Sequence, residues 1–329
     1  MNCLIIYKYF YKKQNNRKIF FYIVLYILLI GDIMAGAIAG TAILNIDSKK
    51  KNNLQTIALT VNNACNLICG HCYLQDGTNA DYVSDEVVDK IIDSSASHIA
   101  LVGKEPTVHL RKTERLIQKL SKAGKSVSMI TNGLQLHKLN KDALMMLDYV
   151  DISMDGGPTT YTRGEYDKIL KNLNLHPRTN ILHTLYKENL ENIDDMLQVP
   201  YTGVMMFSPY LVTNNRGENT VHRSELVDVI DSFAKSSVRS DKNAFLLIDS
   251  YHLEQEGILK SFDDQPNGVF DDESGIFKGV IQDPLEMGIV RVNYDGRVLK
   301  PADSLHPLHY KQNSIPIGDV DMQYLALLN

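Results

Sequence analysis

Three cysteines, Cys65, Cys69 and Cys72, stand within eight residues at the spacing C-x3-C-x2-C, directly after the apolar run 56–61. A short loop leaving a strand can turn three thiolates toward one point. Soft thiolates in that number suit an iron-sulfur cluster. No cysteine follows Cys72, so a cubane [4Fe-4S] cluster held here would keep one iron without a protein ligand. An open metal position is where a substrate or cosubstrate binds. The same residues admit two plainer readings. One is a structural zinc, with His71 as a fourth donor of poor reach between two cysteines; the other is a disulfide that leaves one thiol over.

A loop of this kind needs elements that hold it. From Gln55 onward strand and helix signals alternate, which argues for βα units and a parallel sheet. Strands are expected at 56–61, 98–102, 126–131, 149–154, 180–185 and 203–207. The first helix opens at Ser84, with Asp85 and Glu86 in its first turn and Val87, Val88, Ile91 and Ile92 as its apolar face. Further helices are expected at 112–123, where Gly124 is the stop, and at 141–147, 166–173, 190–198 and 224–236. Lone histidines such as His98, His137 and His176 read as core or surface residues, and the pairs Met145-Met146 and Met205-Met206 read as packing.

The cysteine spacing, with His71 just before the last cysteine, resembles the signature of the radical S-adenosylmethionine (radical SAM) superfamily. In parallel barrels chemistry gathers at the C-terminal ends of strands, and further family-like motifs follow there in order. Gly103-Lys104-Glu105-Pro106 resembles the family's GGEP motif with Lys104 in place of the second glycine, Thr131-Asn132-Gly133 its TNG turn, and Ser153-Met154-Asp155-Gly156 its S-x-D-G segment. Each also has a neutral reading as ordinary turn chemistry. The resemblance implies an α/β fold: a partial (βα)6 TIM-like barrel with a small C-terminal α+β extension. It further implies that Cys65, Cys69 and Cys72 hold a [4Fe-4S] cluster whose open iron takes the amine and carboxylate of S-adenosylmethionine (SAM). The cofactor contacts it implies are Gly103, Lys104 and Glu105 at the methionyl amine, Asn132 in its turn, and Ser153 and Asp155 at the ribose. His71, Thr184 and Ser208 would complete the set near adenine and substrate. One-electron reduction of the bound SAM would then give a 5'-deoxyadenosyl radical, with flavodoxin or ferredoxin as the reductant.

The chain has 329 residues, 44% hydrophobic and 22% charged, enough for one barrel-sized α/β domain and a small appendage. A net charge of -5 and the lack of a Lys/Arg stripe with interleaved aromatics argue against nucleic acid as a partner. Residues 1–33 read differently from the rest, rich in Ile, Tyr, Phe, Lys and Asn. Ile30-Gly31-Asp32-Ile33-Met34 is codable as a ribosome-binding sequence ahead of an ATG, and a start at Met34 is the favoured account. Removing five Lys/Arg and one Asp would take the charge from -5 to about -9 and discard Cys3. A membrane anchor through 19–46 and a signal sequence are the alternatives. The expected organisation is therefore a leader or membrane segment (1–33), a lead-in (34–54), the barrel (55–215) and the extension (216–329). A cytoplasmic location follows unless residues 1–46 are an anchor.

In the last part, 261–279 is expected to be an exposed loop, with four Asp, one Glu and three Gly. Residues 288–299 read as a hairpin turning at Asp295-Gly296. This hairpin resembles the one that opens the SPASM or twitch extension of peptide-modifying radical SAM enzymes. There a cysteine normally follows to ligate an auxiliary cluster; here Lys300-Pro301-Ala302-Asp303 follow. The resemblance thus implies a single-cluster enzyme that abstracts hydrogen from a C-H bond of a ribosomally made peptide. A small metabolite or cofactor precursor is the second reading, and a cluster-binding module without SAM chemistry, favoured only by Lys104, is the third.

Overall fold

The computed structural model describes residues 53–69, 72, 81–209, 225–237, 240, 242–249, 268–271, 278–282, 288–299 and 315–323. Strands β1 (Thr56–Thr60), β2 (His98–Val102), β3 (Ser126–Thr131), β4 (Tyr149–Ser153), β5 (Thr179–Leu185) and β6 (Val204–Pro209) run parallel in chain order. Each falls within two residues of its expected span. Every residue of β1, β2 and β4 is buried, and strands covered on both faces read as near-continuous apolar runs.

Helices α1 (Asp85–Asp93), α2 (Leu110–Lys122), α3 (Lys141–Met145), α4 (Tyr166–Asn172), α5 (Ile193–Met196) and α6 (Leu226–Ser237) fill the connections. Ser84 caps α1 by accepting from the Val87 amide, which satisfies one of the orphan donors of the first turn. Helix α2 begins ahead of its expected start because the 3₁₀ turn Pro106–His109, capped by the Glu105 side chain, feeds into it. The helix expected at 190–198 is shorter: the 3₁₀ segment Lys187–Asn192 occupies its first part.

Six further strands complete the sheet among the described residues. β7 (Asn243–Asp249) continues the parallel series beside β6 and was not expected. β8 (Gly268–Asp271) and β9 (Lys278–Gln282) correct the expected loop at 261–279: they pair antiparallel, and β9 runs parallel to β7. The expected hairpin is present as β10 (Ile289–Val292) and β11 (Arg297–Leu299). It adds to the sheet at its other end, since β10 pairs parallel with β1 and β12 (Ile315–Pro316) pairs with β11. The order is β12-β11-β10-β1-β2-β3-β4-β5-β6-β7-β9-β8, and the sheet is not closed. The result is a mixed α/β fold with a mostly parallel sheet, a partial TIM-like barrel. Asp321 ties the C-terminal turn back to the core by accepting from the Ser95 amide at 2.9 Å and the Ser95 hydroxyl at 2.7 Å.

The helices pack on one face of the sheet, where Ile57, Leu59, Ile99, Leu101, Val127 and Met129 meet Ile91, Leu116, Ile117 and Leu120. The opposite face carries a separate small apolar set, Ala58, Ala100, Val102 and Ile130. Met205 and Met206 are buried as expected, whereas Met145 and Met146 are 42% and 40% exposed, which corrects their reading as packing. No helix among the described residues is long and apolar enough to cross a membrane; residues 1–46 lie outside the described residues.

His98 and His183, both buried, are expected to make the fold acid-sensitive. His98 sits among Ser128, Tyr149 and Thr56, and His183 stacks on Phe207 at 4.7 Å. Burial pushes both rings down to about 4. A base held neutral in the folded state contributes stability that is present above its unfolded pKa and is lost as the pH falls from 6.5 through about 4. Asp151, fully buried and pushed well above the usual carboxylate range by desolvation, acts in the opposite sense: its contribution is full below 3.8 and is lost as the pH rises. A variant comparison separates the two effects. In urea unfolding, the stability of His183→Phe relative to wild type is expected to gain about 3 kcal/mol as the pH goes from 6.5 to 4. A constant difference across that range would contradict the buried neutral ring.

Candidate active site

The three cysteines leave β1 in a loop whose thiols are half-buried. Two turns from neighbouring strands hold it. Asn62, wholly buried, donates to the Glu105 carbonyl at 3.0 Å and accepts from the Ala64 amide at 3.0 Å, while the Glu105 amide donates to the Ala64 carbonyl at 3.0 Å. From the end of β3, Asn132 Nδ2 donates to Asn66 Oδ1 at 2.7 Å. Inside the loop the Leu67 amide donates to Cys65 Sγ at 3.3 Å and the Cys72 amide to the Cys69 carbonyl at 3.0 Å.

Glu105 is the hub of this arrangement. Its carboxylate is wholly buried and accepts from the Thr107 amide at 2.9 Å, the Thr107 hydroxyl at 2.6 Å, the Thr131 hydroxyl at 2.7 Å and the Asn132 amide at 2.6 Å. Burial pushes the carboxyl up from its usual range, and these donors pull against that. Three donors share Oε1 and one uses Oε2. Gly103, at φ 149°, could not carry a side chain without strain, and an added Cβ would come within 3.2 Å of the Asn62 carbonyl. Lys104 has no such constraint. No described residue other than glycine has positive φ, so a lysine at the position of the second glycine carries no backbone penalty.

The S-x-D-G segment follows β4. Ser153 lies at the end of β4, 8% exposed, on the face opposite the helices. Asp155 accepts from the Thr184 amide at 2.9 Å with one oxygen and meets the Arg163 guanidinium with the other. Thr184 and Ser208 are half-buried and directly paired across β5 and β6. The structure therefore brings Cys65, Cys69, Cys72, Gly103, Lys104, Glu105, Asn132, Ser153, Asp155, Thr184 and Ser208 to one edge of the sheet. His71 lies outside the described residues.

Arg163 belongs to this site and was not read from the sequence; neither was Asn62. A signal for Arg163 existed in retrospect, since a buried Asp155 demands a cation and the next one in the chain is Arg163.

The sulfurs lie within electrostatic reach of one another. Burial pushes the Cys65 thiol up, helped by Glu105, Cys69 and Cys72, against the Leu67 amide. Burial likewise raises Cys69, with Arg163 opposing and Asp155 and Cys72 adding. Thiolates gathered in this way repel each other, and a bound cationic centre relieves that repulsion. By the chemistry of the donor set, three soft, half-exposed thiols at a strand end suit a cluster with an open position. No three His, Cys, Asp or Glu side chains converge on a single metal ion among the described residues.

Residues 59–207 match the family described as the Radical SAM superfamily. The family so described uses a [4Fe-4S] cluster together with SAM. A 110-residue stretch, 31% of the chain, is 34% identical to a protein of Sulfolobus acidocaldarius described as a probable GTP 3',8-cyclase, and it covers 34% of that protein. The chain thus spans about a third of that curated relative. Among solved structures, SuiB of Streptococcus suis bound to the precursor peptide SuiA aligns with TM-score 0.58 at 13% identity, over 84% of this chain and 65% of SuiB. The protein anSMEcpe with bound AdoMet aligns with TM-score 0.53 at 17% identity, over 82% of this chain and 79% of that one. These two likenesses show the fold.

Proposed function

We propose that this chain is a radical SAM enzyme that holds one [4Fe-4S] cluster on Cys65, Cys69 and Cys72 and abstracts hydrogen from a C-H bond of a ribosomally made peptide. The observation that carries this reading is the cysteine loop itself, half exposed and stapled to the ends of β2 and β3 through Glu105 and Asn132. When bound, the cluster and SAM would supply the reductive cleavage that makes a hydrogen-abstracting radical. The chain's own residues do the rest. Glu105 orders the turn that faces the methionyl amine, and the backbone of Gly103 and Lys104 lines its approach. Ser153 offers a hydroxyl toward the ribose, while Thr184 and Ser208 flank the far side. His71 is assigned to the adenine side. Asn132 keeps the loop in place, and the sheet keeps water from the reacting carbon.

A peptide substrate is supported by the hairpin β10–β11 and by the shared fold with SuiB, which was solved with a precursor peptide. The division into a barrel at 55–215 and an extension at 216–329 without auxiliary-cluster cysteines belongs to the same proposal. So do a flavodoxin or ferredoxin as the electron donor and a cytoplasmic setting. The second reading, a small metabolite or cofactor precursor, is favoured by the stretch similar to the GTP 3',8-cyclase.

Reconstitution with ferrous iron and sulfide under anaerobic conditions, followed by dithionite and SAM, is expected to release 5'-deoxyadenosine. A protein that takes up the cluster and yields none would overturn the enzyme reading. A small open reading frame for a precursor peptide beside the gene would favour the peptide over the metabolite.

A further inference from the structure

The loop after β4 does more than connect. Thr159 and Thr160 are moored to Asp195, whose carboxylate accepts from both amides and both hydroxyls. The chain then turns back over the cysteine loop: an added Cβ at Gly164 would lie 3.7 Å from Leu67 and 3.5 Å from Leu134. Between these anchors Arg163 points inward, its side chain 13% exposed against a wholly buried Asp155. The Thr162 hydroxyl donates to the Asp155 carbonyl at 3.2 Å, and the Tyr161 hydroxyl donates to the Arg163 carbonyl at 2.8 Å, which fixes both ends of the pair. Leu67 lies between Cys65 and Cys69 in sequence, so the backbone next to Arg163 sits against the cysteine loop.

We propose that the Asp155–Arg163 pair is an electrostatic tuner of the cluster: the guanidinium, clamped by Asp155 next to the segment that packs on the cysteine loop, raises the reduction potential of the iron-sulfur centre. The proposal rests on the cluster reading given above. A cluster on three thiolates gains one more negative charge on reduction, and a fixed cation in a shielded setting stabilises that added charge. Arginine suits the task because it keeps its charge at any working pH. The two charges of the pair are opposite in sign and are held together in one place. Removing either partner therefore leaves an opposite imbalance, and the two changes must act with opposite sign. A mere structural latch has no such signature.

The test is a redox titration of the reconstituted cluster, followed by electron paramagnetic resonance and run without SAM so that cosubstrate contacts play no part. At a fixed applied potential, Arg163→Gln is expected to lower the ratio of reduced to oxidised cluster about tenfold, equal to about 59 mV for a one-electron couple. Asp155→Asn, which keeps an oxygen for the Thr184 amide, is expected to raise the ratio. Arg163→Lys is expected to stay near wild type. Shifts of the same sign for Arg163→Gln and Asp155→Asn, or no shift at matched iron content and circular dichroism, would overturn the tuning role. Should Arg163→Gln fail to take up iron, Asp155→Asn decides by itself, and an unchanged ratio there overturns the proposal. Wild-type protein that forms no cluster would instead overturn the functional reading beneath it, a result visible before any variant is measured.

Discussion

Cys65→Ala, Cys69→Ala and Cys72→Ala are each expected to abolish the broad absorbance at ~400 nm of the reconstituted protein, the mark of iron-thiolate ligation. Formation of 5'-deoxyadenosine should fall with it, by more than the roughly 10–100-fold that loss of an outer-shell partner costs a metal site. Under the proposed ligation each sulfur would be the sole protein donor to its iron, and no cysteine follows Cys72 to replace it. The fold itself should hardly respond. The thiols are half-buried and contribute little to the apolar core, so urea unfolding of the metal-free variants should stay within about 1 kcal/mol of wild type. A variant that retains its absorbance would remove that cysteine from the ligand set.

Glu105→Ala is expected to act through both stability and the site. It strips acceptors from the Thr107 amide and hydroxyl, the Thr131 hydroxyl and the Asn132 amide at a point with no exposure to solvent. Buried donors left without acceptors cost about 1–3 kcal/mol each, less when several share one cavity that can relax. The expected loss is about 4 kcal/mol by urea unfolding, in the range reserved for breaking a buried network. Glu105→Gln keeps one acceptor but sets an amide N–H against a donor, and about 2 kcal/mol is expected. Because Asn132 grips Asn66 in the cysteine loop, iron retention should decline in the same order. A loss below about 1 kcal/mol for the alanine variant would contradict the role of Glu105 as the hub.

Much of this was legible before the fold was known. The strands β1–β6 were read within two residues because each carries a short, mostly buried run between turn signals. The run Asn243–Asp249 carries a similar signal, but a short apolar run cannot be told from a buried helical segment by periodicity alone. β8 and β9 were hidden for another reason. Their pairing lies within a stretch of Asp and Gly, where β-propensity is low and only the partner strand makes the conformation favourable. The reach of α5 was overestimated because the apolar spacing in 190–198 does not distinguish an α-helix from the 3₁₀ segment that precedes it.

By itself the sequence determined what depends on near neighbours: the spacing of three thiols in one loop, the alternation of strand and helix, and the order of the turns that follow β2, β3 and β4. Tertiary structure alone decided which groups those turns present to each other. It made Glu105 a four-donor hub, turned Asn132 into a brace for the cysteine loop, and gave Asp155 to Arg163. It also set the hairpin β10–β11 beside β1, more than two hundred residues away in the chain. The reason is physical. Local patterns report which face of an element is buried, whereas a buried charge or an unpaired strand edge finds its partner only when the chain has closed around it.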